Sequence, residues 1–576
     1  MQVLIDFCAA DTDPRTALKA AFDTPRQTLV AHTIAEVRPL LDAVQALSNE
    51  GFWCVGYVRY EAAPAFDPAF QVHAADGPLA WFGVYEQALD WPEEDAQAEA
   101  VVSWHSDITR ARFDQQMQDI HRAIAAGELY QVNYTAAIEG ALQGDALALF
   151  GAMRRAQPQG YAAWLNTGFE QVLSVSPELF FDWHAGHLLT RPMKGTAPRG
   201  TDAADDEALR QKLLNSPKER AENVMIVDLI RNDLSRVAQP FSVKVPSLFQ
   251  IQTLPTVLQM VSDVQALSRD GTTLADVFTA LFPCGSITGA PKVQAMQMIQ
   301  ALEPQPRGIY CGAIGVVRPG GHATFNVAIR TVTVRATRAR CGIGSGITAD
   351  ATANDEWQEW RHKRAFLERA SQPFELLETL RLEDGHWRDA PAHLARMARA
   401  AAHFGYPFRP QQIAQALQHC VLTHPKGLWR VRLLLAAHGE PSAQVMALPM
   451  SPTHVVLQLG QTAFEAADSE FVRFKTTRRA HYEAVAPTTP GVFDTLLWNR
   501  HGEITECTRG NVALLLQGRW VTPPLRCGLL DGIARAHYLH THRLVEACVR
   551  VEDLPRVQAL AFINSLRGWL DARLQD

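Results

Sequence analysis

Lysine is rare in this chain, so each lysine is a candidate reactive amine. The 576 residues include 54 lysines and arginines, and nine of these are lysines. An amine nucleophile must be able to lose its proton, which lysine can do and arginine cannot. The lysines stand at positions 19, 194, 212, 218, 244, 292, 363, 426 and 475. Two of them, Lys194 and Lys475, lie within motifs that favour chemistry.

Two pairs of glutamates are the second candidate for chemistry. Glu219 and Glu222 lie three residues apart in the helix-like segment 218–234, and Glu356 and Glu359 repeat that spacing in segment 354–360. Residues three apart share one face of a helix. Two such faces brought together can bind Mg²⁺, which accepts one or two carboxylates and takes its other oxygens from substrate and water. Spacing alone favours the alternative that both faces are solvated.

Further segments accompany the acidic helices in a fixed order. They are residues 174–180, 190–196, 285–292, 328–331 and 342–346. From about residue 127 to residue 363, the chain resembles the chorismate-utilising family that includes anthranilate synthase and aminodeoxychorismate synthase component I. The resemblance implies that the four glutamates bind Mg²⁺, which holds the ring carboxylate of chorismate. It also implies a substrate site that comprises Gly195, Thr196, Thr288, Tyr310, Arg330, Gly344, Gly346 and Lys363.

These residue types suit an anionic substrate. Glycines at positions 344 and 346 let backbone N–H groups approach an anion, and Arg330 can bind a carboxylate through two hydrogen bonds. For residues 289–292 the alternative is a simple turn that opens a helix over 293–302.

The residue type at position 194 distinguishes the reactions that members of this family catalyse. Anthranilate synthases resemble this stretch but carry alanine there, whereas aminodeoxychorismate synthases carry lysine, as this chain does. The resemblance implies that the amine of Lys194 adds to ring carbon C2 with loss of the C4 hydroxyl, and that ammonia then enters at C4 and expels the lysine. Such an amine must be neutral, so a pKa of about 10.4 has to fall by roughly 3. The alternative is a surface lysine in a strand.

One position departs from the family pattern. Family members such as anthranilate synthase have histidine where this chain has Gln259. Glutamine cannot be a general base, which argues against pyruvate elimination in this half and leaves amination less affected. No glutaminase nucleophile motif surrounds any cysteine, so the family comparison implies a separate glutamine amidotransferase subunit that supplies ammonia.

A second set of motifs begins at Phe374. It comprises residues 393–397, 475–478, 504–511, 528–533 and 564–568. These motifs resemble the class IV aminotransferases and, within them, aminodeoxychorismate lyase, which implies pyridoxal 5'-phosphate as cofactor. The resemblance further implies that Asn511 contacts the cofactor and that Asn564 contacts the substrate.

The chemistry of that cofactor selects particular residues. It needs a lysine, a carboxylate for the pyridinium nitrogen and donors for the phosphate. Lys426 lies in a turn-like stretch, so Lys475 is the better candidate lysine. Glu506 is expected to serve the pyridinium nitrogen, and Arg396 with the N–H groups near Gly532 and Ile533 to bind the phosphate. The alternative for Arg396 is an arginine on the surface of a helix, and the alternative for Glu506 is a carboxylate at the end of a strand.

Together the two halves imply synthesis of 4-aminobenzoate from chorismate. Three alternatives remain: an enzyme of the anthranilate synthase component I type, a non-catalytic second half, and tryptophan sensing by the first 100 residues. The class IV relatives begin with an extra strand and turn, whereas here the residues before Phe374 belong to a helix over 357–368.

The predicted fold is α+β. It consists of an anthranilate synthase component I-like β-sandwich core with surrounding helices, followed by a D-amino acid aminotransferase-like α/β domain. We expect an N-terminal subdomain over 1–100, a catalytic core over 101–370 and a lyase domain over 374–576. A helix is predicted over 113–124, with Gly127 placed to end it.

Bulk properties exclude some classes of protein. The net charge of −7 provides no basic surface for nucleic acid. No apolar run has the roughly 18 residues of a membrane span, which indicates a cytoplasmic protein. Nine cysteines without Cys-x-x-Cys spacing indicate reduced thiols rather than a zinc site. A homodimer through the C-terminal domain is also among the expectations.

Overall fold

The computed structural model describes residues 2–8, 17–93, 98–106, 108–200, 203–254 and 257–575. The chain divides into two units, Met1–Gln372 and Pro373–Asp576. None of the helices within these described ranges is long and apolar enough to cross a membrane. The division expected near residue 100, inside the first unit, stays a prediction.

The first unit contains strands and helices over its whole length. Its strands are β1 (Val3–Phe7), β2 (Leu18–Phe22), β3 (Gln27–Ala31), β4 (Trp53–Val58), β5 (Ala80–Tyr85), β6 (Ala100–Ser106), β7 (Gln131–Gly144), β8 (Tyr161–Asn166), β9 (Gln171–Ser176), β10 (Leu179–His184), β11 (His187–Arg191), β12 (Met193–Pro198), β13 (Lys244–Thr253), β14 (Val257–Leu267), β15 (Gly289–Ala290), β16 (Ala313–Val317), β17 (Ala323–Val327), β18 (Thr331–Arg335) and β19 (Arg338–Ile347). Its helices are α1 (Ile34–Asn49), α2 (Arg110–Ala125), α3 (Ala146–Ala156), α4 (Ala203–Leu214), α5 (Pro217–Ser235), α6 (Leu274–Leu281), α7 (Lys292–Leu302) and α8 (Ala353–Ala370).

These strands form two antiparallel sheets. Among the described residues, the nine-stranded sheet has the order β15-β7-β19-β18-β9-β8-β1-β2, with β6 paired to β7. The ten-stranded sheet has the order β12-β14-β11-β10-β17-β16-β4-β5-β3, with β13 paired to β14. The first 100 residues supply strands to both sheets.

Alternation along the strands explains how the layers stack. Successive side chains of a strand point to opposite faces. In β4, Val55 and Tyr57 pack in a core shared with strands of the nine-stranded sheet, whereas Cys54 and Val58 pack in a core shared with α1 and α6. A third core lies where α2, α3, α7 and α8 cover the other face of the nine-stranded sheet. This arrangement is the β-sandwich with surrounding helices that the sequence predicts.

Local signals fix the helices that carry the acidic pairs. The Ser216 hydroxyl accepts a hydrogen bond from the N–H of Glu219 at 3.4 Å, and Pro217 occupies the first position of α5. Thr352 caps α8 in the same way, accepting from the N–H of Asp355 at 3.2 Å. The helices predicted over 113–124, 218–234, 293–302 and 357–368 are confirmed, since they lie within α2, α5, α7 and α8.

The second unit has its own sheets and helices. Its strands are β20 (Leu376–Glu383), β21 (His386–Arg388), β22 (Leu428–Leu435), β23 (Pro441–Ala447), β24 (His454–Leu459), β25 (Asp494–Trp498), β26 (Ile504–Cys507), β27 (Asn511–Leu516), β28 (Arg519–Thr522), β29 (Val545–Glu546), β30 (Ala559–Asn564) and β31 (Gly568–Leu574). Its helices are α9 (Ala390–Phe404), α10 (Pro410–Thr423), α11 (Glu470–Arg473), α12 (Ala480–Glu483) and α13 (Ile533–His540).

Two sheets also organise the second unit. In the described part of the chain, a four-stranded sheet has the order β21-β20-β22-β23, and an eight-stranded sheet the order β26-β25-β24-β31-β30-β27-β28-β29. Helix α9 packs on β20 around Leu380, Met397 and Phe404. The eight-stranded sheet carries β26 and β27, which hold the predicted Glu506 and Asn511.

Candidate active sites

Lys194 lies in an irregular step at the edge of the ten-stranded sheet. The pairing of β12 with β14 shifts register between Met193 and Thr196, so Lys194 and Gly195 form the step. Gly195 has a φ of +98°, a conformation that favours glycine. The Gln259 amide nitrogen donates to the Gly195 carbonyl at 2.8 Å, and its oxygen accepts from the Thr196 hydroxyl at 2.9 Å. Gln259 therefore clamps the step that carries Lys194, and the Thr196 hydroxyl is already engaged.

Protein groups enclose the ammonium of Lys194. Its Nζ donates to Glu222 Oε2 at 3.2 Å, and 16% of the side chain is exposed. A Cβ added at Gly346 would lie 2.8 Å from this nitrogen, so the bare glycine leaves the room it needs. Burial alone would lower the pKa of Lys194, but the carboxylates of Glu222, Glu359 and Glu356 raise it above its ordinary value. The expectation that the pKa of Lys194 falls is therefore wrong as far as the protein's own groups are concerned.

The four predicted metal-binding glutamates lie within electrostatic range of Lys194. Among the described residues, no three of their oxygens come within 4.8 Å of one another. Lysine ammonium groups lie close to two of them instead: Lys194 is 3.2 Å from Glu222, and Lys363 is 2.7 Å from Glu359. Lysine cations thus balance part of the acidic charge in this structure.

Burial and mutual repulsion make a negative charge unfavourable on two of the four glutamates, Glu219 and Glu356. Burial raises the pKa of Glu219, and the neighbouring Glu222 raises it further. The pKa of Glu356 rises for the same two reasons, with Glu359 as its neighbour, although the Ser345 hydroxyl donates to Glu356. Carboxylates in this situation are stabilised by a cation.

Arg330 is a half-buried cation that pairs with none of the described carboxylates. Burial lowers its pKa to about 10, and its guanidinium carbon lies 6.0 Å from the ring centre of Phe366. Its φ of +50° is uncommon for a residue other than glycine. Nearby, Lys363 donates from Nζ to the Gly344 carbonyl at 3.0 Å. An unpaired guanidinium of this kind suits a substrate carboxylate.

Two other predicted substrate contacts have mainly structural surroundings. The Thr288 hydroxyl is buried and donates to the Cys284 carbonyl at 3.0 Å, so it stabilises its own turn. The Tyr310 ring packs on Gly342, where a Cβ would lie 2.1 Å from it. Both Tyr310 and Gly342 line a cavity of about 330 Å³, and Lys194 does not line this cavity.

Two residues near Lys194, Gln131 and Glu178, were not among the site residues predicted from the sequence. Gln131 is fully buried, and neither atom of its side-chain amide has a hydrogen-bond partner. Its amide nitrogen lies 2.7 Å from the position of a Cβ at Gly346. Glu178 is buried, accepts from the Ser286 hydroxyl at 2.7 Å, and has a pKa raised by burial to about 7. A glutamine such as Gln131 and a single glutamate such as Glu178 do not by themselves indicate a site in a sequence, although Glu178 lies inside the motif 174–180.

Lys475 lies in the loop after α11, and its amine makes no hydrogen bond or ion pair with the described residues. Burial lowers its pKa, and the positive charges of Arg479 and Arg396 contribute, to give a value of about 7. Such an amine is about half neutral at pH 7. Lys426, by contrast, is exposed between α10 and β22.

Glu506 is a buried carboxylate on β26 that the chain holds from both sides. The Tyr482 hydroxyl donates to its Oε1 at 2.6 Å, and the N–H of Leu530 donates to its Oε2 at 3.1 Å. Burial raises its pKa to about 7. The Asn511 amide donates to the Leu530 carbonyl at 2.9 Å and lies 3.4 Å from Glu506 Oε2. Asn511 therefore supports Glu506.

Arg396 is anchored by a buried carboxylate that sequence reasoning missed. Its Nε and Nη2 donate to Glu378 at 2.8 and 2.7 Å, and its Nη1 donates to the Asp531 carbonyl at 2.8 Å. His393 Nδ1 lies 2.7 Å from the same carboxylate. The guanidinium has five N–H groups, so two remain for a ligand. His393 and Arg396, three apart on α9, are a signal that could have indicated such a partner.

The remaining predicted residues lie at element ends. Gly532 immediately precedes α13, whose first residue is Ile533, so N–H groups of the first turn are available to an anion. A Cβ at Gly532 would lie 1.9 Å from Asn511 Oδ1, which excludes a larger residue. Asn564 donates to the Arg509 carbonyl at 3.3 Å and accepts from a backbone N–H at 2.8 Å, so its amide shapes its own loop.

Comparisons with known proteins agree with this division. Residues 10–369 match the family described as chorismate binding enzyme, and residues 375–574 match amino-transferase class IV. Aminodeoxychorismate synthase component 1 of Salmonella typhimurium is 42% identical over 257 residues, which are 45% of this chain and 57% of that protein. Anthranilate synthase component 1 of Methanothermobacter thermautotrophicus is 32% identical over 333 residues, 54% of this chain and 72% of that protein.

A solved structure shares the fold of the first unit. Anthranilate synthase component I from Streptococcus pneumoniae aligns with a TM-score of 0.54 and 23% identity over 64% of this chain and 92% of that one. The predicted fold and both predicted family resemblances are confirmed. The chain spans 57% of the length of the Salmonella relative.

Proposed function

We propose that this chain, which belongs to the family of chorismate binding enzymes, converts chorismate into 4-aminobenzoate in two steps. The first unit aminates chorismate to 4-amino-4-deoxychorismate, and the second eliminates pyruvate from that compound. The observation that carries the proposal is the enclosed amine of Lys194, which lies among four glutamates and against the bare backbone of Gly346.

Lys194 is the proposed nucleophile of the first step. Its amine bonds to ring carbon C2 as the C4 hydroxyl leaves as water, which takes up the proton that the lysine nitrogen loses. Ammonia then bonds to C4 and the C2–N bond to lysine breaks, and the proton that ammonia loses restores the amine. The unpaired guanidinium of Arg330 supports binding of a substrate carboxylate. The unsatisfied amide of Gln131 supports a further polar contact beside Lys194.

Mg²⁺ fits the acidic faces because carboxylate oxygens are its preferred protein ligands. Glu219, Glu222, Glu356 and Glu359 are the residues that would hold it. When bound, Mg²⁺ supplies positive charge to the ring carboxylate of the substrate. A divalent cation at these glutamates would also offset their effect on the pKa of Lys194.

Proton handling in the first unit falls to a residue other than Gln259. Gln259 is committed to the strand that carries Lys194 and has no titratable group. Glu178, with a pKa of about 7, lies in electrostatic range of Lys194 and Lys363. A group with such a pKa can exchange protons near neutral pH.

A separate glutamine amidotransferase supplies the ammonia. The name of the Salmonella relative, a synthase component 1, supports a second component. A homodimer through the second unit and a cytoplasmic location stay predictions.

Pyridoxal 5'-phosphate is the cofactor that the class IV match implies for the second unit. The residues present fit it, since the unpaired amine of Lys475, the buried carboxylate of Glu506 and the anchored guanidinium of Arg396 lie within electrostatic range of one another. When bound, the cofactor supplies an electron sink. Lys475 holds and moves the proton at C4 of the substrate. Glu506, which accepts from the Tyr482 hydroxyl, would hold the pyridinium nitrogen when the cofactor is bound.

The test uses the full chain with chorismate, Mg²⁺, ammonium and pyridoxal 5'-phosphate, and identifies the products by mass spectrometry. We expect 4-aminobenzoate from the native chain, and neither 4-amino-4-deoxychorismate nor 4-aminobenzoate from Lys194→Ala. The exposed Lys212 of α4 provides the matched control, Lys212→Ala, which should keep the native rate.

Two outcomes would contradict this function. Formation of anthranilate would overturn the amination step. Accumulation of 4-amino-4-deoxychorismate by the native chain would show that the second unit is not a lyase, whereas the same accumulation in Lys475→Ala but not in Lys426→Ala supports the role of Lys475.

A further inference from the structure

Three potential metal ligands of the second unit converge beside its motifs, and none of them is among the residues assigned above to catalysis or to cofactor binding. The Cys527 and Cys548 sulfurs lie 3.4 Å apart, and Cys548 Sγ lies 3.4 Å from Glu503 Oε1. Among the described residues, this is the group whose three ligand atoms all lie within 4.8 Å of one another. We propose that Glu503, Cys527 and Cys548 bind one Zn²⁺ ion.

The separations match those that Zn²⁺ imposes on its ligands. With Zn–S bonds of about 2.3 Å and a Zn–O bond of about 2.0 Å, tetrahedral geometry places two sulfurs about 3.8 Å apart and a sulfur and an oxygen about 3.5 Å apart. The observed separations, 3.4 Å for both pairs, need adjustments of a few tenths of an ångström. Two edges of the ligand triangle therefore come close to those of a tetrahedron, and all three ligand atoms lie within 4.8 Å of one another.

Neighbouring groups orient the proposed ligands. The Asn499 amide donates to Glu503 Oε2 at 2.9 Å and to the Cys527 carbonyl at 3.0 Å, which leaves Oε1 of Glu503 for a metal. Arg526 Nη2 donates to Cys548 Sγ at 3.0 Å and thereby orients this sulfur. Support of ligands by such outer hydrogen bonds is typical of metal sites.

The site is open on one side. Cys527 is buried, Glu503 is half-buried and Cys548 is exposed. An ion can therefore enter from solvent, and water can complete the fourth position. Binding replaces the proton of each thiol by a bond to zinc.

The site would tie the scaffold of the proposed cofactor pocket together. Cys527 ends a short helical turn, and the following residues 528–531 include the N–H of Leu530 on Glu506 and the carbonyl of Asp531 on Arg396. Glu503 directly precedes β26, the strand of Glu506. The ion would thus have a structural role that does not depend on the reaction of either unit.

Cobalt provides the test, because thiolate ligands give Co²⁺ a sulfur-to-metal charge-transfer band that carboxylate ligands do not. The full chain, saturated with Mg²⁺ and pyridoxal 5'-phosphate and kept reduced, is titrated with Co²⁺. Parallel equilibrium dialysis with Zn²⁺ measures the retained metal. We expect the native chain to show the charge-transfer band at one Co²⁺ per chain. Cys548→Ser and Glu503→Gln should each lose this band and should each retain one Zn²⁺ per chain fewer than the native chain. Cys8→Ser, which changes a partly exposed cysteine outside the site, should keep both.

The proposal is overturned if the native chain shows no charge-transfer band, or if both ligand variants retain as much zinc as the native chain. Because the exposed Cys548 can be replaced without disturbing the core, loss of binding there is not explained by misfolding.

Discussion

Replacing Glu378 by glutamine should destabilise the second unit by about 3 kcal/mol at neutral pH. Glu378 is 1% exposed and accepts hydrogen bonds from Arg396 at 2.7 and 2.8 Å. Burial by itself would raise its pKa, but Arg396 and His393 outweigh this and lower the pKa from 4.5 to about 2. The difference of about 2.5, at about 1.36 kcal/mol per pH unit, gives the magnitude. Breaking a buried ion pair typically costs about 3–5 kcal/mol.

The pH dependence follows from the direction of this change. Because the folded pKa of Glu378 lies below its ordinary value, the stability it contributes is fully present above pH 4.5 and is lost as the pH falls through about 2. The stability gap between the native chain and Glu378→Gln should therefore be constant between about pH 5 and 7, and shrink by roughly half at about pH 3.

Hydrogen exchange of the α9 and β20 amides in the full chain measures this gap without unfolding the first unit. Glu383→Gln is the matched control, because Glu383 lies on the same strand, is 55% exposed and pairs with Arg381 at the surface. Such surface pairs contribute at most about 1 kcal/mol. A loss in Glu378→Gln no larger than in the control would refute the reasoning, and so would a gap that persists unchanged at about pH 3.

Three further predictions concern the proposed reactive amines. Gln131→Leu should leave the free energy of unfolding unchanged or higher, since the amide makes no hydrogen bond, yet reduce kcat/KM for chorismate by about tenfold; a fall in both would indicate a purely structural role. Gly346→Ala, whose Cβ would lie 2.8 Å from Lys194 Nζ, should reduce amination by about 100-fold, while Gly460→Ala, whose Cβ would lie 3.5 Å from its nearest neighbour, should not; equal rates would contradict this geometry. In cofactor-free protein, acetylation of Lys475 followed by mass spectrometry should be half-maximal near pH 7, and a midpoint near the ordinary lysine value of about 10.4 would exclude the buried, neutral amine.

Some of the site could be predicted because residue type and local spacing determine it. Glu219 and Glu222 share a helix face whatever surrounds them, and Ser216 with Pro217 begins that helix through contacts within one turn. The choice of Lys475 over Lys426 also needed only local turn chemistry, and the exposed position of Lys426 agrees with it.

Other features depend on contacts between distant segments. From the sequence, Gln259 indicated only that a histidine base is missing. The structure shows that its side chain, on β14, donates to the Gly195 carbonyl and so holds the strand β12 that carries Lys194. Likewise, only the structure shows that the Thr288 hydroxyl donates to the Cys284 carbonyl of its own turn, and the predicted substrate contact of Thr288 stays a prediction.

The sequence by itself determined which groups can react and which helices and strands carry them, because these properties reside in residue types and in spacings of a few residues. Only the tertiary structure decided the charge state of those groups and their neighbours. Both amines are buried. At Lys194 the surrounding carboxylates outweigh burial and raise the pKa, whereas at Lys475 burial, together with Arg479 and Arg396, lowers it. Burial and Coulomb interactions act through space, and the chain segments that produce them are far apart in sequence.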